Sequence, residues 1–198
     1  MGAYTPVPFI KRGLISRIEK KLIAPTIKAL AKEDALYKGF LYPGLILTRK
    51  GPMVLEFNCR LGDPETQPLM FQLKSDIVDI FEAIADNKVG KAEFQWFKGS
   101  SVCVVLASAG YPGEYKKGNE IFGLKKISHK NDIIAFHSGT KLYGEKVVSY
   151  GGRVLGICAR DSNLKGALKK AYNAIGRNGI YFEGMQYRKD IGKKGLKN

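Results

Sequence analysis

The segment Val54-Leu55-Glu56-Phe57-Asn58-Cys59-Arg60-Leu61-Gly62-Asp63-Pro64-Glu65-Thr66-Gln67 constrains this chain most, because it asks for a strand, a corner and a helix start in quick succession. If Val54–Asn58 is a strand, side chains two apart share a face. Glu56 and Asn58 then point together, with apolar Leu55 and Phe57 behind them. A carboxylate and an amide oxygen side by side suit Mg²⁺, which takes few protein ligands and leaves positions for phosphates and water. Arg60 follows at the strand end, where its planar fork of donors suits a carboxylate or a phosphate. Asp63-Pro64-Glu65 reads as a helix N-cap, a proline at the first helical position and an acid in the first turn. A helix start beside a metal and an arginine makes an anion site. The competing reading of Glu56 and Asn58 is a solvated strand edge, and that of Arg60 a structural salt bridge.

The rest of the chain alternates helical and strand patterns. Leu14, Ile15, Ile18, Leu22, Ile27 and Leu30 keep helical spacing, with Pro25 forcing a kink or a break. Phe40–Thr48 and Met53–Asn58 read as strands joined around Lys50-Gly51-Pro52, a hairpin signal. A helix is expected from Asp63 or Thr66 to about Asp86, with Leu69, Met70, Leu73, Ile77, Ile80, Phe81 and Ile84 on its inner face. Asn87–Gly99 reads as a connector. Beyond it, Ser101–Ala107, Ile133–His137, Lys146–Ser149 and Val154–Ala159 read as strands. Ser162-Asn163 then starts a helix to about Ile175, closed by a turn at Gly176–Gly179. Strands followed by a helix imply an α+β unit with an antiparallel sheet. No P-loop or dinucleotide fingerprint is present: Gly139-x₄-Gly144 runs into Glu145-Lys146 and lacks the required Gly-Lys-Ser/Thr.

Charge bears on function. A net charge of +15 fits nucleic-acid binding. Of the 33 basic residues, however, only eight are arginine, and the lysines are spread over several segments with no helix-turn-helix, zinc-finger or aromatic–basic RNA motif. Solvated lysine faces are the better reading, and such a field also favours an anionic substrate. Cys59, Cys103 and Cys158 are odd in number and widely spaced, against a disulfide framework or a zinc site. Cys103 and Cys158 read as small buried strand residues. His137 reads as a satisfied core or turn histidine and His129 as surface. No apolar run has the length of a membrane span, so the cytoplasm is the expected compartment.

The segment Glu56-Phe57-Asn58-Cys59-Arg60-Leu61-Gly62-Asp63-Pro64-Glu65-Thr66-Gln67 resembles the signature of the glycinamide ribonucleotide synthetases, or phosphoribosylamine–glycine ligases, ATP-grasp enzymes of purine biosynthesis. Met1-Gly2-Ala3-Tyr4-Thr5-Pro6, Gly39-Phe40-Leu41-Tyr42-Pro43-Gly44-Leu45, Gly110-Tyr111-Pro112-Gly113, Phe136-His137-Ser138-Gly139-Thr140, Gly151-Gly152-Arg153-Val154-Leu155-Gly156 and Tyr187-Arg188-Lys189-Asp190-Ile191-Gly192 match the same family in the same order. The resemblance implies an α+β chain: the C-terminal half of an ATP-grasp domain (1–98), then a small antiparallel-sheet-plus-helix C-terminal domain (99–198). It also implies a fragment lacking the N-terminal domain and the nucleotide-covering loop. Such a fragment is expected to be inactive alone, to need the missing N-terminal half as partner, and to expose an apolar face prone to self-association.

The activity implied is ATP-dependent ligation of glycine to 5-phosphoribosylamine through glycyl phosphate. On this resemblance Glu56 and Asn58 are ligands to Mg²⁺ or Mn²⁺, and Arg60 holds the glycine carboxylate or the acyl phosphate. Asp63 receives the substrate amine or ribose, unless capping a helix is its whole role. Tyr4 belongs to a loop that approaches glycine. Lys141 and Arg153 are candidates for the ribose phosphate, the competing reading being solvent-facing cations at a tight strand connection. One departure stands out: Phe40–Thr48 contains no acid to act as a second metal carboxylate. The alternative function is a non-catalytic basic binding module for nucleic acid or a protein partner.

Overall fold

A computed structural model describes residues 1–197. The chain forms two compact units that interleave in sequence. The larger holds Met1–Val7, Asp63–Gln72 and the chain from Phe97 on; the smaller holds Pro8–Gly62 and Leu73–Trp96.

The larger unit is built on a five-stranded antiparallel sheet. Strands β1 (Gly2–Thr5), β4 (Ser100–Ser108), β8 (Arg153–Asp161) and β5 (Ile133–His137) follow one another across it, and the two-residue β9 (Met185–Gln186) extends it beside β4. A hairpin of β6 (Thr140–Tyr143) and β7 (Lys146–Ser149) stands apart from the sheet. Strand β4 is buried along its whole length, because both faces of the sheet are covered. Val102, Val104 and Leu106 face the main core with Leu155, Ile157 and Phe182. That core is closed by α5 (Leu164–Asn173), whose Leu164, Ala167, Leu168 and Ala171 form one buried helical stripe. Asn163 caps this helix, accepting from Gly166 N at 2.9 Å. Cys103, Val105 and Cys158 point the other way, toward Phe71 of α3 (Thr66–Gln72).

The smaller unit carries a helical run, a two-stranded hairpin and one further helix. Helix α1 (Arg12–Ile18) passes through a π-helical turn, Glu19–Ile23, into α2 (Ala24–Lys32). The cause is Pro25, which has no N–H: Ala24 N reaches back five residues to Glu19 O, and Pro25 falls in the first turn of α2. Strands β2 (Tyr42–Thr48) and β3 (Gly51–Asn58) pair antiparallel from Thr48↔Gly51 to Tyr42↔Asn58. Ile46, Leu47, Met53, Leu55 and Phe57 of this hairpin are exposed.

The single helix expected from Asp63 or Thr66 to Asp86 is two helices, α3 and α4 (Ile77–Ala85). Between them Lys74 N and Ser75 N turn away to bond Gln95 O, and Leu73 bridges Trp96, so Asn87–Gly99 is more than a connector. Asp76 restarts the helix by accepting from Val78 N. Of the expected inner-face residues, Ile80 is buried at 2% exposure, whereas Phe81 is 50% exposed and packs edge-on against Phe40. No helix among the described residues is long and apolar enough to cross a membrane.

Candidate functional site

Strand β3 brings Glu56 and Asn58 together. Asn58 Nδ2 donates to Glu56 Oε1 at 3.0 Å, so both side chains lie on one face as their spacing requires. A β-bulge opposite Gly44–Leu45 leaves Leu55 as the extra residue, immediately before Glu56. Gly44 makes room for the carboxylate arm: a Cβ there would sit 3.0 Å from Glu56 Cγ. Glu56 is exposed and Asn58 half-buried. Among the described residues no group of three or more His, Cys, Asp or Glu side chains is placed to hold a metal ion. One carboxylate and one amide oxygen, as Glu56 and Asn58 offer, fit a Mg²⁺ ion completed by phosphate oxygens and water.

Arg60 stands two residues beyond Asn58 in the same unit. Its Nη1 donates to Leu61 O at 2.9 Å, and among the described residues it has no ion-pair partner. Arg60 is exposed. Cys59 beside it is exposed, while Cys103 and Cys158 are buried as expected. Burial raises the Cys158 thiol well above its ordinary pKa.

Asp63 lies in the larger unit and does not cap a helix in the way its sequence suggests. Asp63–Glu65 is a turn, and the helix starts only at Thr66. The Asp63 carboxylate instead takes a 2.9 Å ion pair from Arg153 Nη1 and a 2.7 Å hydrogen bond from Gln67 Nε2. Arg153 Nη1 also reaches Asp63 O at 2.9 Å, and its Nε donates to the Tyr111 hydroxyl at 3.0 Å. The Tyr111 hydroxyl, and after it the Asp63 charge, hold the Arg153 guanidinium above its ordinary pKa. Arg153 is thus a partnered cation, not an open one. Tyr111 escaped the sequence reading as an individual residue, although the Gly110–Gly113 motif that carries it was visible. Its ring lies directly over Gly152, where a Cβ would approach within 2.1 Å.

Lys141 projects from exposed β6, with its ammonium 4.9 Å from the centroid of the Tyr150 ring. Tyr4 is in a different setting from the loop expected of it. Gly2–Thr5 is strand β1, registered on β4 with Tyr4 opposite Val102. The Tyr4 ring packs against the main core beside Gly195, and burial raises its hydroxyl pKa. The apolar ring finds more contact there than a solvent-facing loop would give it. His137, expected in the core or a turn, ends strand β5 and is exposed, its Nδ1 2.9 Å from Thr140 Oγ1; His129 is exposed. A cavity of about 560 Å³ in this unit is lined by Glu114, Tyr115, Lys116, Asn119 and Glu183, and by none of the candidate residues.

Comparison with known proteins agrees with the motif reading. Residues 1–66 match the family described as phosphoribosylglycinamide synthetase, ATP-grasp (A) domain, and residues 101–194 match the C domain of the same synthetase. A phosphoribosylamine–glycine ligase of Caldanaerobacter subterraneus is 46% identical over 191 residues, covering 96% of this chain and 45% of the relative. The crystal structure of phosphoribosylamine–glycine ligase from Thermotoga maritima superposes with a TM-score of 0.80 at 34% identity, over 96% of this chain and 46% of that one. The chain therefore spans about half the length of these relatives. The biotin carboxylase domain of Hydrogenobacter thermophilus 2-oxoglutarate carboxylase, solved with MgADP and bicarbonate, shares the fold at 15% identity, with a TM-score of 0.62 over 98% of this chain and 44% of that one.

Proposed function

Since the chain belongs to the phosphoribosylglycinamide synthetase family, we propose that it supplies the metal-binding strand and the acceptor-side groups of a ligase joining glycine to 5-phosphoribosylamine. The γ-phosphoryl group of ATP passes to the glycine carboxylate, releasing ADP. The phosphoribosylamine nitrogen then attacks the acyl carbon and inorganic phosphate leaves. Charge neutralisation and positioning carry such a reaction, so no nucleophilic side chain is required of the protein.

The observation that carries this reading is the shared face of Glu56 and Asn58. These two residues would hold Mg²⁺ or Mn²⁺, which when bound neutralises phosphate charge. Arg60, exposed and without a carboxylate partner, receives the glycine carboxylate or the acyl phosphate. Asp63, fixed by Arg153 and Gln67, receives the substrate amine or ribose. Arg153 Nε and Nη1 are engaged by Tyr111 and Asp63, so we assign Arg153 first to orienting Asp63, and Lys141, with Arg153 Nη2, to the ribose phosphate. We read residues 1–98 as the second half of the catalytic ATP-grasp domain and 99–198 as the C-terminal domain, in a cytoplasmic enzyme with ATP as co-substrate.

The test is Glu56→Gln in a preparation completed with the N-terminal half of a family member. Ligation is expected to fall on the order of 100-fold, the usual size for losing an electrostatic stabiliser of the transition state. Unchanged ligation in a correctly folded Glu56→Gln preparation sinks the metal assignment. A basic binding module would instead keep or slightly strengthen its nucleic-acid affinity on the same substitution.

A further inference from the structure

Two lysines, not one, converge on Tyr150. Lys117 Nζ and Lys141 Nζ each lie 4.9 Å from the centroid of its ring. Among the described residues neither ammonium has an ion-pair partner, whereas Lys146 on the same hairpin is neutralised by Glu120 at 2.7 Å. Two like charges therefore meet at one half-exposed ring, and no carboxylate among the described residues forms an ion pair with either. Like charges so placed repel, and a cation–aromatic contact at an exposed site offsets this only modestly. Such an arrangement is best satisfied by an anion.

The backbone fixes this pair. Strand β7 is flanked on one side by β6, with Lys141 opposite Val148. On its other side runs the segment after Lys117: Gly118 N donates to Ser149 O at 2.6 Å, Ser149 N to Asn119 O at 2.8 Å, and Glu120 bridges Val148. Ser149 is fully buried between the two. The lysines thus come from the two neighbours of one strand, and Tyr150 follows that strand directly. Tyr150 N and Gly151 N both donate to Gly139 O, at 2.7 and 3.1 Å, which anchors the ring's own backbone. Around the row the chain is stripped of side chains: Gly118 has φ +88°, and a Cβ on Gly139 would fall 2.6 Å from Gly151 Cα. Glycines of this kind let an anion approach the backbone closely.

We propose that Lys117, Tyr150 and Lys141 form a clamp for the phosphate monoester of the sugar-phosphate substrate, Tyr150 acting as a positioning residue whose ring both ammoniums contact. The clamp deepens the ligase reading and rests on it for the identity of the substrate. It adds Lys117 and Tyr150 to the binding residues.

The experiment titrates the chain with ribose 5-phosphate, inorganic phosphate and ribose, following backbone amide shifts and fitting Kd. The clamp predicts saturable binding of both phosphates, not of ribose, with the largest shifts at Gly118, Gly139 and Gly151. Lys117→Gln/Lys141→Gln should weaken ribose 5-phosphate by about tenfold or more, the scale of losing two charge-assisted contacts. Lys125→Gln/Lys130→Gln, with the same change in net charge, should alter it less than about twofold. Tyr150→Phe should bind as the parent does, and Tyr150→Leu several-fold more weakly. Equal losses in the two double variants, or no saturable binding by the parent, overturn the clamp. So does a single-stranded oligonucleotide that binds with steep salt dependence and loses affinity in Lys117→Gln/Lys141→Gln while ribose 5-phosphate does not. If the clamp binds as expected but the completed enzyme fails to ligate, the ligase reading falls and the phosphate site stands.

Discussion

Replacing Gly152 by alanine should dislodge Tyr111 and with it the Arg153–Asp63 arrangement. A Cβ at Gly152 would lie 2.1 Å from Tyr111 Cδ2, 2.6 Å from Cε2 and 3.1 Å from Cγ, where ordinary contact begins at 3.4 Å. The ring must retreat by more than an ångström, because the backbone cannot. Gly152 O accepts from Ser108 N at 2.8 Å and Gly151 O from Ser108 Oγ at 2.9 Å, tying this segment to the end of β4. Gly152 itself is buried. Retreat of the ring breaks the 3.0 Å bond from Arg153 Nε to the tyrosine hydroxyl. Overpacking of this kind costs about 1–3 kcal/mol, and at roughly 2–4 °C per kcal/mol for a chain of this size Tm should fall by about 2–12 °C. The direct check is a double-mutant cycle by thermal unfolding with Tyr111→Ala, which removes the obstacle. Gly152→Ala in the Tyr111→Ala background should cost at least about 1 kcal/mol less than in the parent. Strict additivity, or a Gly152→Ala variant that melts with the parent, refutes the reasoning.

Removing the α5 cap with Asn163→Ala should cost about 1 kcal/mol and lower Tm by about 2–4 °C, read by calorimetry. The Lys170 ammonium lies 2.7 Å from both Asp132 and Asp161 and holds both carboxyls below their ordinary pKa. Because the folded values are lowered, the stabilisation is present above the unfolded carboxyl range and is lost as pH falls through the folded values. Lys170→Met should therefore lower Tm near neutral pH and flatten its decline below about pH 4, so parallel Tm–pH curves would contradict this. A thiol reagent should modify exposed Cys59 in the native chain and leave Cys103 and Cys158 unreacted until denaturant is added, as mass spectrometry would show.

What could be read ahead of the structure was local. Ile133–His137 and Lys146–Ser149 are strands at the bounds their alternation and flanking turns gave. The pairing of Glu56 with Asn58 needed only the two-residue period of a strand. Long-range partners decided the rest. The break between α3 and α4 is made by Gln95 and Trp96, some twenty residues on, and only Ser75-Asp76, a cap-type pair, marks it in the local sequence. Arg153 and Asp63 are separated by 90 residues, and nothing in either motif announces that they neutralise each other. Strands β1 and β9 are too short for periodicity to declare them and exist because β4 offers them an edge. Lys117 was one lysine among many until the sheet order set it against the same ring as Lys141.

The measurement that bears most directly on the central claim is glycine-dependent ADP release with MgATP and freshly made phosphoribosylamine. It is made on this chain, on the N-terminal half of a family member, and on the two combined. ADP release confined to the combination, and abolished there by omitting either glycine or phosphoribosylamine, is the predicted result. No release from a combination shown by ultracentrifugation to assemble would contradict the account.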